Sequence, residues 1–298
     1  SNDTQAVASD YLVISRRTVT VPMISNLDDI FEIARIQFSP NTLTTFIEER
    51  FGFTLSSAEC DHFAHNKLWP KNKRVSVEDQ NIDHLIPLLR TLEEKILAQA
   101  KDERTGLFAY LDGMKFNSTE STAVVDIGYA ATIQGRLNRL LHKPVHGYYL
   151  VTEERAQKIC VEHNVIAQGC FGHYVNAFNN PPLVFKESFS MEKLLSSNDP
   201  QIVRYHLSST GDIVPEFRKL TETERQTMTT RAEIQRGIMD FVDRSIAIRA
   251  ELVSDFIVPS ELAKDLFETF VEQPSRSELD ILRKLTLDDY YCGRGLVS

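Results

Sequence analysis

The segment VVDIGYAATIQ, residues 124–134, holds the residue types in this chain best suited to gripping a small polar ligand. The valines and Asp126 read as the end of a β-strand, and Ile133, Leu137, Leu140 and Leu141 give the following residues one apolar helical face. At the carboxyl end of a strand in a parallel α/β sheet, loops diverge and the next helix points its free amides outward. Those amides and the helix dipole suit a phosphate or carboxylate. Gly128 permits a left-handed turn or close approach of a ligand to the backbone, and the small Ala130 and Ala131 leave the entrance open. Thr132 and Gln134 offer directed hydrogen bonds, while Asp126 can accept from a sugar hydroxyl or organise the loop. An aspartate after two valines also serves simply to cap a turn, and that plainer reading stands beside the first.

Arg16 and Arg17 follow the apolar run YLVIS at residues 11–15, which reads as a buried strand. A guanidinium at a strand end can clamp a phosphate bidentately from the same sheet edge as Gly128; the competing role is an ion pair with one of the many acidic residues. Glu187 and Glu192 are candidate general bases, with an exposed helical carboxylate as the blander role, so no catalytic residue is assigned.

Other chemistries find less support. GYAATI lacks the further spaced glycines of the dinucleotide fingerprint, and the chain has no P-loop, nucleophile elbow or kinase set. His62 with His65, and His142 with His146, lack a sequence-close third ligand, so no metal is expected. Cys60, Cys160, Cys170 and Cys292 are scattered and read as free thiols. No cofactor is expected. The charge of -9, from 33 Lys+Arg against 42 Asp+Glu, argues against nucleic acid and anionic membrane surfaces as partners, while leaving room for a local basic pocket. No apolar run approaches the roughly 20 residues of a membrane span, and the first residues do not read as a secretory signal, so a cytoplasmic location is expected.

Several elements must position these residues. Asn26, Asn41 and the pairs Ser56/Glu59 and Thr221/Glu224 mark helix starts, the pairs having capping-box spacing. Residues 84–99 read as a packed helix and residues 103–114 as a second. Ile234, Ile238, Phe241, Val242 and Ile246 give a later helix an apolar stripe, and Ser260 starts another with Leu262, Leu266, Phe267 and Phe270 inward. AVVDIG, ATIQGRLNRLL and GYYLVT form the one convincing strand–helix–strand unit, followed by a loop-rich stretch around the candidate strand CFGHYV. The expected fold is α/β: a mainly parallel, Rossmann-like sheet flanked by helices, with a helical N-terminal insertion and a helical C-terminal region. Residues 1–117, 118–215 and 216–298 are its expected parts, within one compact unit.

Four stretches, in order, resemble the region that follows a haloacid-dehalogenase-like domain in large bacterial surface-polysaccharide biosynthesis proteins, often found with glycosyltransferase modules. They are YLVISRR, VVDIGYAATIQ with its helix and GYYLVT, KESFSMEKLLSS, and FVEQPSRSELDILRKLTLDDYYCG. The resemblance spans most of the chain. It implies a ligand set of Asp126, Gly128, Tyr129, Thr132 and Gln134, with Ala131 standing where the family pattern has glycine. It implies a nucleotide sugar or sugar phosphate as ligand, and haloacid-dehalogenase-like and glycosyltransferase domains as partners in a longer chain. The Asp-x-Asp nucleophile pattern of a haloacid dehalogenase is absent from these 298 residues. The central segment also resembles the first motif of S-adenosylmethionine-dependent methyltransferases, with Glu153 where those enzymes hold a ribose. A non-catalytic interaction scaffold is the third expectation.

Overall fold

The structure, a computed structural model, describes residues 9–118, 121–254, 257–288, 290–293 and 296–297. In chain order the principal elements begin with α1 (Arg16–Thr20), α2 (Leu27–Ala34), α3 (Leu43–Phe51), α4 (Ser57–His65), α5 (Ile86–Thr91) and α6 (Glu93–Gly113). Then come β1 (Thr122–Asp126), α7 (Thr132–Leu141), β2 (Val145–Glu153), α8 (Glu154–His163) and β3 (Ala167–Val175). After α9 (Leu183–Lys186) and α10 (Ser188–Leu195), a hairpin of β4 (Ile202–Leu207) and β5 (Ile213–Phe217) leads to α11 (Glu222–Glu251), α12 (Ser260–Glu272) and α13 (Arg276–Leu282). Among the described residues no helix is long and apolar enough to cross a membrane.

Two units share these elements: Ser1–Gln37, Asn41–Glu120 and Gln201–Phe217 form the first, and Phe38–Pro40, Ser121–Pro200 and Arg218–Ser298 the second. The division runs differently from the expected cuts after 117 and 215, because the β4–β5 hairpin belongs with the N-terminal helices and the C-terminal helices with the sheet.

In the first unit YLVIS forms no strand, contrary to expectation. Ser15 instead caps α1 in a reciprocal box with Thr18, and the backbone of Val13 is satisfied by two tyrosines: its N–H donates to the Tyr110 hydroxyl and its carbonyl accepts from that of Tyr205. With its polar groups met this way, the apolar run needs no strand partner. The two helices expected across 84–114 divide at Leu92 instead, leaving α6 unbroken for 21 residues. Gly106 inside α6 faces the hairpin so closely that a Cβ would sit 2.2 Å from the Tyr205 carbonyl oxygen. Tyr110 and Tyr205 stack there with ring centres 4.1 Å apart. Gly52 ends α3 at φ +90, and a Cβ on it would lie 2.3 Å from both Arg17 Nη2 and Glu103 Oε1.

The second unit holds the parallel sheet that the sequence implied. β1 pairs with β2 from Thr122 opposite Val145 to Asp126 opposite Tyr149, and β2 pairs with β3 in the same sense. Strand order follows the chain, with α7 and α8 as crossovers that touch each other. An apolar cluster of Ala131, Tyr149, Ala156 and Ala167 joins these helices to the sheet. A second cluster, Val151, Val184 and Met191, gathers Tyr129, Phe171, Phe185 and Phe267. Thr221 and Glu224 form the expected capping box of α11, whose first half is anchored by the buried Arg231 through the carbonyls of Lys193, Ser197 and Thr286. Its second half departs from expectation, since Ile238, Phe241, Val242 and Ile246 are exposed. On α12, Leu262 and Leu266 are likewise exposed while Phe267 packs inward. Periodicity sets which face of a helix is apolar; it does not supply the surface that covers it.

Candidate functional site

β1 ends at Asp126 and α7 begins at Thr132, so the five-residue loop 127–131 and the first turn of the helix lie at the carboxyl edge of the parallel strands. Asp126 and Tyr149 are register partners. The Asp126 carboxylate accepts the Gly128 N–H at 3.2 Å, which closes the loop start as an Asx turn. The left-handed residue of the loop is Ala131, at φ +54 and ψ +27, and not Gly128 as its type suggested. At Gly128 a Cβ would make a tight contact, 3.3 Å from Asp126 Oδ2. Ala131 occupies the N-cap of α7 in this conformation and offers no side-chain acceptor, so no side chain caps the helix. Its first-turn amides keep their partial positive charge facing the loop. Thr132, half-buried at the first helical position, makes no side-chain hydrogen bond among the described residues.

Gln134 is a correction. It was expected to reach a ligand, but it is wholly buried and ties the sheet together. Its Nε2 donates to the carbonyls of Val145 at 2.7 Å and Ile166 at 2.8 Å, and its Oε1 accepts from the Tyr149 hydroxyl at 2.9 Å. Gly147 makes room for this strap, since a Cβ there would fall 2.3 Å from Gln134 Oε1.

Tyr129 ties the loop to the segment beyond β3, its hydroxyl donating to the Ser188 carbonyl at 2.8 Å and its ring meeting Phe185 edge-on. Burial first, then the negative charge of Glu192, raise its phenol far above the ordinary range, with Asp126 contributing. Burial and the Asp126 charge do the same to Tyr149. Both hydroxyls are therefore protonated donors at neutral pH. Glu192, one of the two glutamates named as candidate bases, thus lies beside Tyr129, whereas Glu187 accepts from Ser190 on its own helix. Glu153 ends β2 but is buried and paired with Arg155, and its N–H donates to the Tyr129 carbonyl at 3.0 Å.

Arg17 is a second correction. Both of its terminal nitrogens hold Glu103 within the first unit, at 3.1 and 2.9 Å, with Nη1 also donating to the Val203 carbonyl, so it is no phosphate clamp. Arg16 is exposed on α1 of the same unit. The structure thus gathers Asp126, Gly128, Tyr129 and Thr132 in one loop, with Gln134 behind it and the arginines in the other unit. Tyr149, buried behind the loop with its hydroxyl on Gln134, is the supporting residue that sequence reasoning missed; its only local signal is an aromatic ring in a buried strand.

The loop can bind an anion at the helix amides and Thr132, and can offer Asp126 to a hydroxyl. No model of a known protein family matches the chain, and no curated protein matches it either.

Proposed function

We propose that the second unit binds a nucleotide sugar or sugar phosphate, as the donor- or acceptor-binding domain of a bacterial polysaccharide-assembly protein, with glycosyl transfer as its chemistry. One observation carries this reading: a helix start that no side chain caps lies next to Asp126 and the Thr132 hydroxyl, which has no hydrogen-bond partner among the described residues, at the carboxyl edge of a parallel sheet. Phosphate oxygens match the amides, and a sugar hydroxyl matches the carboxylate. In this reading the glycosyltransferase and haloacid-dehalogenase-like modules are partners in a longer chain. The buried, Arg155-paired state of Glu153 favours a sugar over a ribose-anchored methyl donor.

A thermal-shift panel of nucleotide sugars, sugar phosphates, nucleoside diphosphates and S-adenosylmethionine tests the proposal, because a ligand that binds only the native state raises the melting temperature. Stabilisation by a nucleotide sugar or sugar phosphate, lost in Thr132→Val and Asp126→Asn, is the expected result. Stabilisation by S-adenosylmethionine alone favours the methyltransferase, and silence across the panel favours a scaffold; either sinks the reading.

A further inference from the structure

The first unit carries an independent concentration of positive charge. Residues 71–74, KNKR, place three cations in four positions of a chain whose formal charge is -9. The loop is held from behind, where the Trp69 indole N–H donates to the Lys73 carbonyl at 3.0 Å. Lys73 Nζ stands 4.6 Å from the centre of the Trp69 ring. Lys71 pairs at the surface with Asp61, at 2.6 Å. Arg74 is exposed and makes no hydrogen bond or ion pair among the described residues. Between this loop and the helices α3 and α4 lies a cavity of about 230 Å³, walled by Thr42, Thr44, Cys60 and Trp69.

We infer that this cavity is an anion site that takes the phosphate of a small phosphomonoester, with Arg74 and Lys73 as its cations and the Thr44 hydroxyl as a neutral donor. Three features support that ligand class. Asp61 pairs with Lys71, while the cations Lys73 and Arg74 line the cavity with no ion pair among the described residues. That charge reaches inward: burial and the neighbouring Lys73 ammonium together hold the His84 imidazole below its ordinary range, and His84 packs 5.8 Å from Trp69. The volume falls below the roughly 300 Å³ at which pockets for drug-sized ligands begin, so the cavity suits a phosphate with a sugar-sized group and not a whole nucleotide. This site shares no residue with the Asp126 loop, and the inference does not rest on the function proposed above.

Trp69 is the chain's single tryptophan, so its emission reads the cavity directly. The intact 298-residue protein is titrated with sodium phosphate and, separately, with glucose 1-phosphate, sodium chloride holding the ionic strength constant to remove general screening. Both probes are expected to change the emission saturably. In Arg74→Ala the half-saturating concentration should rise about 10-fold, the loss expected for one charge-assisted hydrogen bond. Thr132→Val should leave the curve unchanged, which separates this site from the other. Arg74 is exposed, so an unaltered unfolding curve for the variant without ligand shows that folding is not the cause. A linear response to both probes, or an identical curve in Arg74→Ala, overturns the site. Saturation by phosphate with glucose 1-phosphate inert overturns the phosphomonoester assignment.

Discussion

Gln134 spends every polar group it has on the sheet, satisfying two backbone carbonyls and one tyrosine hydroxyl in a place closed to water. Truncation would strand those partners without replacement, and a buried unsatisfied group costs about 1–3 kcal/mol. Gln134→Ala should therefore lose at least about 2 kcal/mol in urea unfolding, whereas a ligand-facing glutamine would lose almost none. A second residue gives a pH signature. Glu59 accepts from Lys95, at 2.7 Å, and from the backbone and hydroxyl of Ser56, and these bonds, led by Lys95, lower its carboxyl from 4.5 to about 2. A folded-state value below the unfolded one adds stability above pH 4.5, and that stability is lost as pH falls towards 2. Glu59→Gln should flatten the acid limb of the stability profile in that window. The difference should shrink in high salt, because the pair is solvent-exposed. The two residues also mark what sequence can reveal. Ser56 and Glu59 are three apart and legible as a pair, but the strap from Gln134 reaches residues 11 and 32 positions away, and nothing near Gln134 announces them. Ala131 was equally opaque, since its left-handed conformation is imposed by the turn between strand and helix and not by its own preference.

At the scale of elements, packing reverses what propensity suggests. Glycine inside a helix costs about 0.5–1 kcal/mol relative to alanine, so Gly106→Ala on propensity alone should stabilise α6. The hairpin backbone sits where the new methyl would go, 2.2 Å from the Tyr205 oxygen. The substitution should instead cost about 1–3 kcal/mol through overpacking, and thermal unfolding decides between the two signs. Within α11 the contrast lies along one helix. Arg231→Ala abandons three carbonyl acceptors and should cost about 2–4 kcal/mol, while Phe241→Ser, on the exposed half, should stay within about 0.5 kcal/mol. Equal losses at both positions would show that the second half is covered in solution. The βαβ unit was legible because its two strands and helix are contiguous and their periods differ; the extent of burial of α11 was not, because it depends on segments far away in sequence.

For the whole chain, the feature hidden from sequence is the return of residues 201–217 to the N-terminal unit. Its ties are long: Ser15 Oγ donates to the Ile202 carbonyl across 187 positions, and the Tyr205 hydroxyl to Val13 across 192. The apolar run at residues 11–15 is visible in the sequence, but neither the hairpin at 202–217 nor its return to that run is. The buried Arg17–Glu103 pair depends on the same return, since the Val203 carbonyl accepts from Arg17. Without the hairpin, that guanidinium and the Tyr110 ring lose their cover, and an incompletely bonded buried charge is strongly destabilising. Residues 1–120 alone should therefore lack a cooperative thermal transition. The same residues joined to 201–217 by a flexible glycine–serine linker should regain one, with Tyr110→Ala lowering its midpoint. A sharp transition in residues 1–120 by themselves would mean that the hairpin only decorates a unit already complete, and that the long-range ties contribute little to its stability.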